Sequence, residues 1–262
     1  MPFTISHVAA VLPFSRLLGR WRLLSATIIG SMVPDFGFLM PWRPERVETH
    51  SAMALLMFCL PVGVATFWVF QLLVKPALNE ILPDATFARW QAMAAPADIR
   101  EAVQWALAAC GVLMGAITHL VWDAFTHEGA RGVRMIPALD DPALDIAGHH
   151  LMGARLLQDV SSLVGLGIVL TVVAYGLRPA SGSIPPFTRR LRPTERYLWL
   201  GAYVGAAFIL AALFLAHRIP HFGAGVSLAY VFGNYAIAAL RALAGALLLV
   251  SLTLVLRLRA KP

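Results

Sequence analysis

Charge is what this sequence lacks most. Of its 262 residues only 13% are Asp, Glu, Lys or Arg, about half the share found in an average soluble domain. A soluble fold of this length has a surface to cover, and this chain has too little charge to cover it. Cysteine is nearly absent too. Cys59 and Cys110 are the only two, and both sit inside apolar runs, which excludes a disulfide framework and a cysteine-based zinc site. Also missing are a basic segment ahead of the first apolar stretch, since the first arginine is Arg16, a His-Glu-x-x-His zinc motif and a phosphate-binding glycine loop. A standard signal peptide is not expected.

What is present is apolar. The hydrophobic share is 59% and the mean hydropathy is +0.72, so the expected class is an all-α, polytopic transmembrane helical bundle. About 20 helical residues cross a bilayer core. Five runs meet that length: Ser51–Val74, Ala102–Trp122, Val160–Leu177, Tyr197–Ala216 and Asn234–Leu256. The first forty residues differ. Two stretches of about 11 residues, Val8–Leu18 and Leu23–Val33, flank the polar tip Gly19–Arg22. Each is too short to cross alone, so a helical hairpin tucked among other helices is expected.

The net charge of +7 does not point to nucleic acid here, because the basic residues gather at the ends of apolar runs. With the hairpin tip, Lys75–Arg100, Arg178–Arg196 and the tail on one side, that side holds 14 Lys and Arg against 6 on the other, with Arg241 intramembrane. The bias puts the richer side in the cytoplasm and the segments Phe36–His50 and Phe125–Asp159 outside. The expected organisation is residues 1–178 as a hairpin with three spans, 179–196 as a basic cytoplasmic loop, and 197–262 as two further spans.

Ionisable residues inside a membrane are costly and point to function. Here they converge on one side of a topology fixed from Lys and Arg alone. His7 opens the hairpin and Asp35 closes it; His50 starts the first span; His119, Asp123 and His127 end the second; Gln158 and Asp159 begin the third. In His119–His127 the three polar residues recur every fourth position, so they share one helix face, with about 6 Å of rise per step. One ion is not expected to reach all three unless the helix ends before His127. Either His119 and Asp123 form one pair with His127 folding back, or Asp123 bridges two ions. Imidazole with carboxylate suits zinc, iron, manganese or nickel. A divalent transition metal is therefore the expected cofactor, zinc first, although ligand type alone does not choose among these.

Plainer roles suit the other polar residues. His149 and His150 read as an exposed loop pair, His217 and His221 as interfacial, and Glu128 as a solvated carboxylate. Trp42, Trp199 and Tyr230 read as interface anchors. Ser161 and Ser162 lack a nucleophile-elbow glycine pattern and read as small packing residues.

Met-Pro-Phe-Thr-Ile-Ser-His7, Ile-Gly-Ser-Met-Val-Pro-Asp35, His50-Ser and Leu-Val-Trp-Asp123-Ala-Phe-Thr-His127 together resemble an uncharacterised bacterial membrane family. The resemblance covers roughly residues 1–178. That family in turn resembles inner-membrane proteins described as metal-dependent hydrolases. The resemblance implies His7, Asp35, His50, His119, Asp123 and His127 as metal ligands, and a multi-pass protein of the bacterial inner membrane. The family often carries Leu-Gln-His-Gly-Ser-Ser where this chain has Leu-Gln158-Asp159-Val-Ser161-Ser162. Asp159 is therefore left out of the ligand set, and Gln158 is placed behind it.

The expected function is a membrane-embedded, metal-dependent hydrolase working near the outer face on a lipid or phosphoester. Membrane lipid is the expected partner and source of a lipid-like substrate; nucleic acid is not. The alternatives are an ion or proton transport protein using the same residues as a relay, and a metal that only pins the hairpin to the bundle.

Overall fold

The computed structural model describes residues 4–40, 42, 44–82, 97–146, 149–176, 191–218 and 228–260. It is an all-helical polytopic bundle with one small β-hairpin. Five helices are long and apolar enough to cross a membrane: Ala52–Ile81, Ala102–Thr126, Gly153–Gly176, Pro193–Phe214 and Asn234–Ala260. They are called the first to fifth spans below. The chain packs as two units, one formed by Met1–Phe67 with Ala92–Arg178, the other by Trp68–Gln91 with Pro179–Pro262.

In the first unit the N-terminal segment is a hairpin of short helical pieces. The outgoing arm runs through 3-10 turns at Thr4–Ala10 and Leu12–Phe14 into Ser15–Arg20. After a reversal at Trp21-Arg22, where Arg22 adopts a left-handed φ of 58°, Leu24–Gly30 returns and ends in a 3-10 segment, Val33–Leu39. Pro13 and Pro34 each fall in the first turn of a short segment. Proline has no N–H and its ring clashes with the carbonyl four residues back, so neither arm continues as one long α-helix.

Each arm leans on a different span. Glycine lets the return arm lie backbone-to-backbone on the second span: a Cβ on Gly115 would sit 2.1 Å from the Thr27 carbonyl oxygen, and one on Gly30 would sit 2.2 Å from that of Val112. The outgoing arm packs on the third span, where Gly165 faces Ser6 and Val8, Ala9 and Val169 form a buried cluster.

The first span contains two π-helical turns, Leu55–Cys59 and Phe70–Val74. Pro61 and Pro76 follow each by two residues, and the carbonyls four residues before them belong to Met57 and Leu72, inside those wider turns. A π turn accommodates the proline without breaking the helix. Ahead of this span, Glu45 and Glu48 form a reciprocal cap on the single turn Arg46–His50. Residues four apart share a face, so Arg46 and His50 point the same way.

In the second unit the fourth and fifth spans pack together. Ala77, Ile81, Leu191, Leu254, Val255 and Leu258 form its buried cluster. Tyr203 and Ser251 hydroxyls meet at 2.8 Å, and Arg257 pairs with Glu195 at 3.0 Å.

Two expectations are corrected here. Lys75 and Glu80 belong to the first span, which runs on to Ile81, and both are buried. The polar stretch after the second span is not all loop. Pro142–Ile146 and His149–Met152 pair as an antiparallel hairpin that sets Asp145 opposite His150, 3.3 Å apart and exposed. His221 and the stretch Arg178–Pro186 lie outside the described residues, as do the side chains of His149, His217 and Tyr230. Cys59 and Cys110 are both free.

Candidate metal centre

All six sequence-derived residues meet in the first unit, around one carboxylate. Asp123 Oδ2 lies 3.6 Å from both His50 Nε2 and His119 Nε2. Its other oxygen, Oδ1, lies 3.7 Å from His7 Nε2 and 3.5 Å from His127 Nδ1. Asp35 closes the ring, with Oδ1 at 3.4 Å from His50 Nε2 and 3.8 Å from His119 Nε2. The second span ends at Thr126, and His127 takes an extended backbone (φ −111°, ψ 128°) as its cap. That early end resolves the reach problem of a nine-residue helical face, because His127 folds back towards Asp123.

Neighbouring side chains fix which nitrogen faces the cluster. His119 Nδ1 donates to the Ser31 carbonyl at 2.8 Å, leaving the Nε2 lone pair free. His50 Nδ1 lies 2.6 Å from Thr49 Oγ1, which in turn donates to the Arg46 carbonyl at 3.4 Å. Both groups are satisfied when His50 donates through Nδ1 and presents a bare Nε2. A ring N–H tied to a carbonyl or hydroxyl is how metal-binding imidazoles are usually oriented. Thr4 Oγ1 donates to Asp35 Oδ2 at 2.8 Å, which leaves Oδ1 for the cluster.

The remaining atoms have no partner of their own. His7 Nδ1 and Nε2, His50 Nε2, His119 Nε2 and Asp123 Oδ1 are all buried without a hydrogen bond. Buried polar atoms without partners are costly, and here they point at one another. The rings of His7 and His119 stack at 3.7 Å, an arrangement that two charged imidazoles would oppose. Burial, and next the neighbouring His119, holds the His7 imidazole down at about 4. Burial works to raise Asp35, but contacts with His50, His119 and Thr4 outweigh it and hold the carboxyl below its usual range. Burial lowers His127 as well.

Two groups can hold a metal ion, His7–His119–Asp123 and Asp35–His50–His119, each with its ligand atoms within 4.8 Å of one another. An ion with four bonds of about 2.0–2.1 Å separates neighbouring donors by about 3.3–3.5 Å, close to the spacings above. The groups share His119, whose single free lone pair serves one ion at a time. Asp123, with two oxygens facing opposite ways, is the residue able to serve both.

Four neighbours escaped the sequence reading. Arg46 Nη2 donates to Asp123 Oδ2 at 2.6 Å while its side chain stays 50% exposed. Its place four residues before His50, inside the Glu45/Glu48 cap, was the available signal. Thr4, Thr49 and the Ser31 carbonyl act through tertiary contacts that have no sequence signature. Gln158, expected behind the ligands, touches His127 Nε2 through its amide at 2.9 Å and accepts from Arg155 at 3.1 Å. Asp159 turns away to pair with Arg155, Glu128 is exposed, and Ser161 accepts from Trp122 at 3.2 Å.

One family model, described as a domain of unknown function (DUF4184), matches residues 1–252. The chain belongs to that family. The match extends well beyond residue 178, so the DUF4184 unit includes the fourth span and most of the fifth. No curated protein and no solved structure matches the chain.

Acid should loosen this DUF4184 chain when metal is chelated away. His7 titrates at about 4 when folded and near 6.5 when unfolded, so between those values the unfolded chain binds more protons. Stability from His7 is complete above about pH 6.5 and lost as pH falls towards 4. Thermal melts of chelator-treated protein in detergent should show the midpoint falling across that window. His7→Asn should flatten the slope; an unchanged slope would mean His7 is not buried neutral.

Proposed function

We propose that the protein is a metal-dependent hydrolase of the bacterial inner membrane, acting at the outer face on a lipid or other phosphoester. The observation that carries the reading is the set of bare, buried ligand atoms on His7, His50, His119 and Asp123, gathered from three separate segments. A bound divalent ion would supply a coordinated water acidified to near neutrality and would polarise the ester oxygen.

The chain's own residues do the rest. Asp35 and Asp123 bring the negative charge that offsets a divalent cation, and the imidazoles would bind as neutral donors. Asp35, His50 and His119 would hold an ion at one group, and His7, His119 and Asp123 at the other, with His127 beside Asp123 Oδ1. Were two ions held there, the site would suit phosphoester cleavage, in which attacking and leaving oxygens are both stabilised. Among the described residues, exposure lies at one edge of the cluster. His127 is 23% exposed and Arg46 50%, whereas His7, His119 and Asp35 are buried. That open edge favours a reactive site over a closed structural one.

The test is elemental analysis of detergent-purified protein, followed by hydrolysis of a phosphomonoester and phosphodiester panel with and without chelator. Near-stoichiometric transition metal, one or two ions per chain, and chelator-sensitive hydrolysis restored by zinc are expected. Absence of metal after reloading would remove the proposed catalyst. Bound metal without hydrolysis of any panel member would replace the enzyme with a structural pin.

A further inference from the structure

The His127 ring differs from the other imidazoles of the cluster, because both of its nitrogens are engaged. A guanidinium only donates, so the 3.1 Å contact from Arg155 Nη1 fixes the Gln158 oxygen on that side. The Gln158 amide nitrogen is thereby turned to His127 Nε2, at 2.9 Å. An amide nitrogen also only donates, so Nε2 accepts and carries no proton. Across the ring, Nδ1 lies 3.4 Å from Thr126 Oγ1. The hydroxyl proton of Thr126 goes to the Trp122 carbonyl at 3.1 Å, which leaves Oγ1 to accept. Two independent neighbours therefore put the ring proton on Nδ1.

That nitrogen is the one nearest the cluster. It faces Asp123 Oδ1 at 3.5 Å, so His127 shows the carboxylate an N–H, whereas His50 and His119 present a bare Nε2. A metal ion needs a deprotonated donor atom, and His127 has none to give. Its Nε2 lone pair is taken by Gln158, and its Nδ1 holds the proton. Neither group of residues able to hold an ion includes it. What the ring can do is donate. Gln158 is buried and is itself gripped by Arg155, so the donor cannot turn its proton elsewhere without breaking that chain of contacts.

We infer that His127 is a positioning residue and not a metal ligand: its Nδ1–H holds Asp123 Oδ1, and Gln158, fixed by Arg155, keeps the proton on that nitrogen. As a limit on the ligand set this rests on the metal-binding reading; the tautomer itself stands without an ion. The donors left to an ion are then His7, Asp35, His50, His119 and Asp123, and His127 acts through the last of them.

The full chain, carrying isotopically labelled histidine and held in detergent, is read by proton–nitrogen NMR before and after loading with zinc. The His127 ring is identified by the signals that vanish in His127→Asn. It should show a protonated Nδ1 and a bare Nε2 in both samples, while other ring signals of the cluster move on loading. Gln158→Glu, which offers Nε2 an acceptor in place of a donor, should put a proton on Nε2. Zinc affinity in His127→Asn should fall about tenfold, the low end of what losing an orienting partner costs, at an unchanged melting temperature. An Nδ1 that loses its proton on loading, or a loss of affinity as deep as that of Asp123→Ala, would return His127 to the ligands and overturn the inference. A protonated Nε2 in unloaded wild type would overturn the tautomer and the role built on it. Zinc absent from every sample, with the Nδ1 proton in place, would sink the metal-binding reading and leave the His127–Asp123 contact standing.

Discussion

Asp123→Ala should abolish metal binding at the candidate centre while leaving the bundle folded. The carboxylate is the one group within 3.7 Å of all four histidines His7, His50, His119 and His127, and each oxygen serves a different part of the cluster. Changing a residue that merely orients a ligand costs about 10–100-fold in metal affinity; removing a carboxylate that faces all four imidazoles costs more. Metal content should therefore drop at least about a hundredfold under dilute conditions. The fold survives because the partner left behind, Arg46, is half exposed and can be solvated. Asp123→Asn should behave the same way, since the amide keeps the shape and loses the charge. Elemental analysis beside size-exclusion profiles decides it. Full metal content in either variant would put the ion somewhere else.

Gly115→Leu acts in the opposite direction, through the backbone. The first added atom would lie 2.1 Å from the Thr27 carbonyl oxygen, 2.5 Å from the Ser31 nitrogen and 2.8 Å from the Gly30 carbonyl carbon. None of these is a flexible side-chain end, so the return arm must move away by an ångström or more. Ser31 is the residue whose carbonyl holds His119 Nδ1, and Asp35 follows on the same arm. Overpacking typically costs about 1–3 kcal/mol, and a clash with main chain belongs at the top of that range or above it. Gly115→Ala should already lower the melting temperature in detergent; Gly115→Leu should yield little folded protein and no bound metal. Gly167→Ala is the control, because nothing beyond its own stretch of helix lies within 4 Å of the added carbon there. A Gly115→Leu protein with wild-type melting and metal content would mean the arm does not rest on the second span.

The spans were legible because membrane crossing imposes a minimum apolar length, and Ala102–Thr126 or Asn234–Ala260 satisfies it on composition alone. The hairpin was legible for the converse reason, as two runs too short to cross. Where a helix continues past its apolar run, legibility fails: Lys75 and Glu80 read as loop residues, yet both are buried within the first span. The strands Pro142–Ile146 and His149–Met152 were hidden because five residues carrying a proline and an aspartate have no strand alternation to detect.

At the centre, the ligand types stood out because His and Asp are expensive inside a membrane. Their orientation did not. It depends on Thr4, Thr49 and the Ser31 carbonyl, ordinary groups made specific by what packs on them. Arg46 was read as one basic residue in a topology count, and only the folded chain shows it against Asp123.

The way the hairpin is held has a consequence for biosynthesis. Every side chain of the His/Asp cluster has been translated by residue 127, but the segment carrying His7 rests on the third span through Gly165 and Val169. A nascent chain therefore has its donors long before it has the wall that keeps the first of them in place. Closure of the centre waits for about forty more residues, and until then the segment carrying His7 has only the second span, through the His119 ring, to rest on.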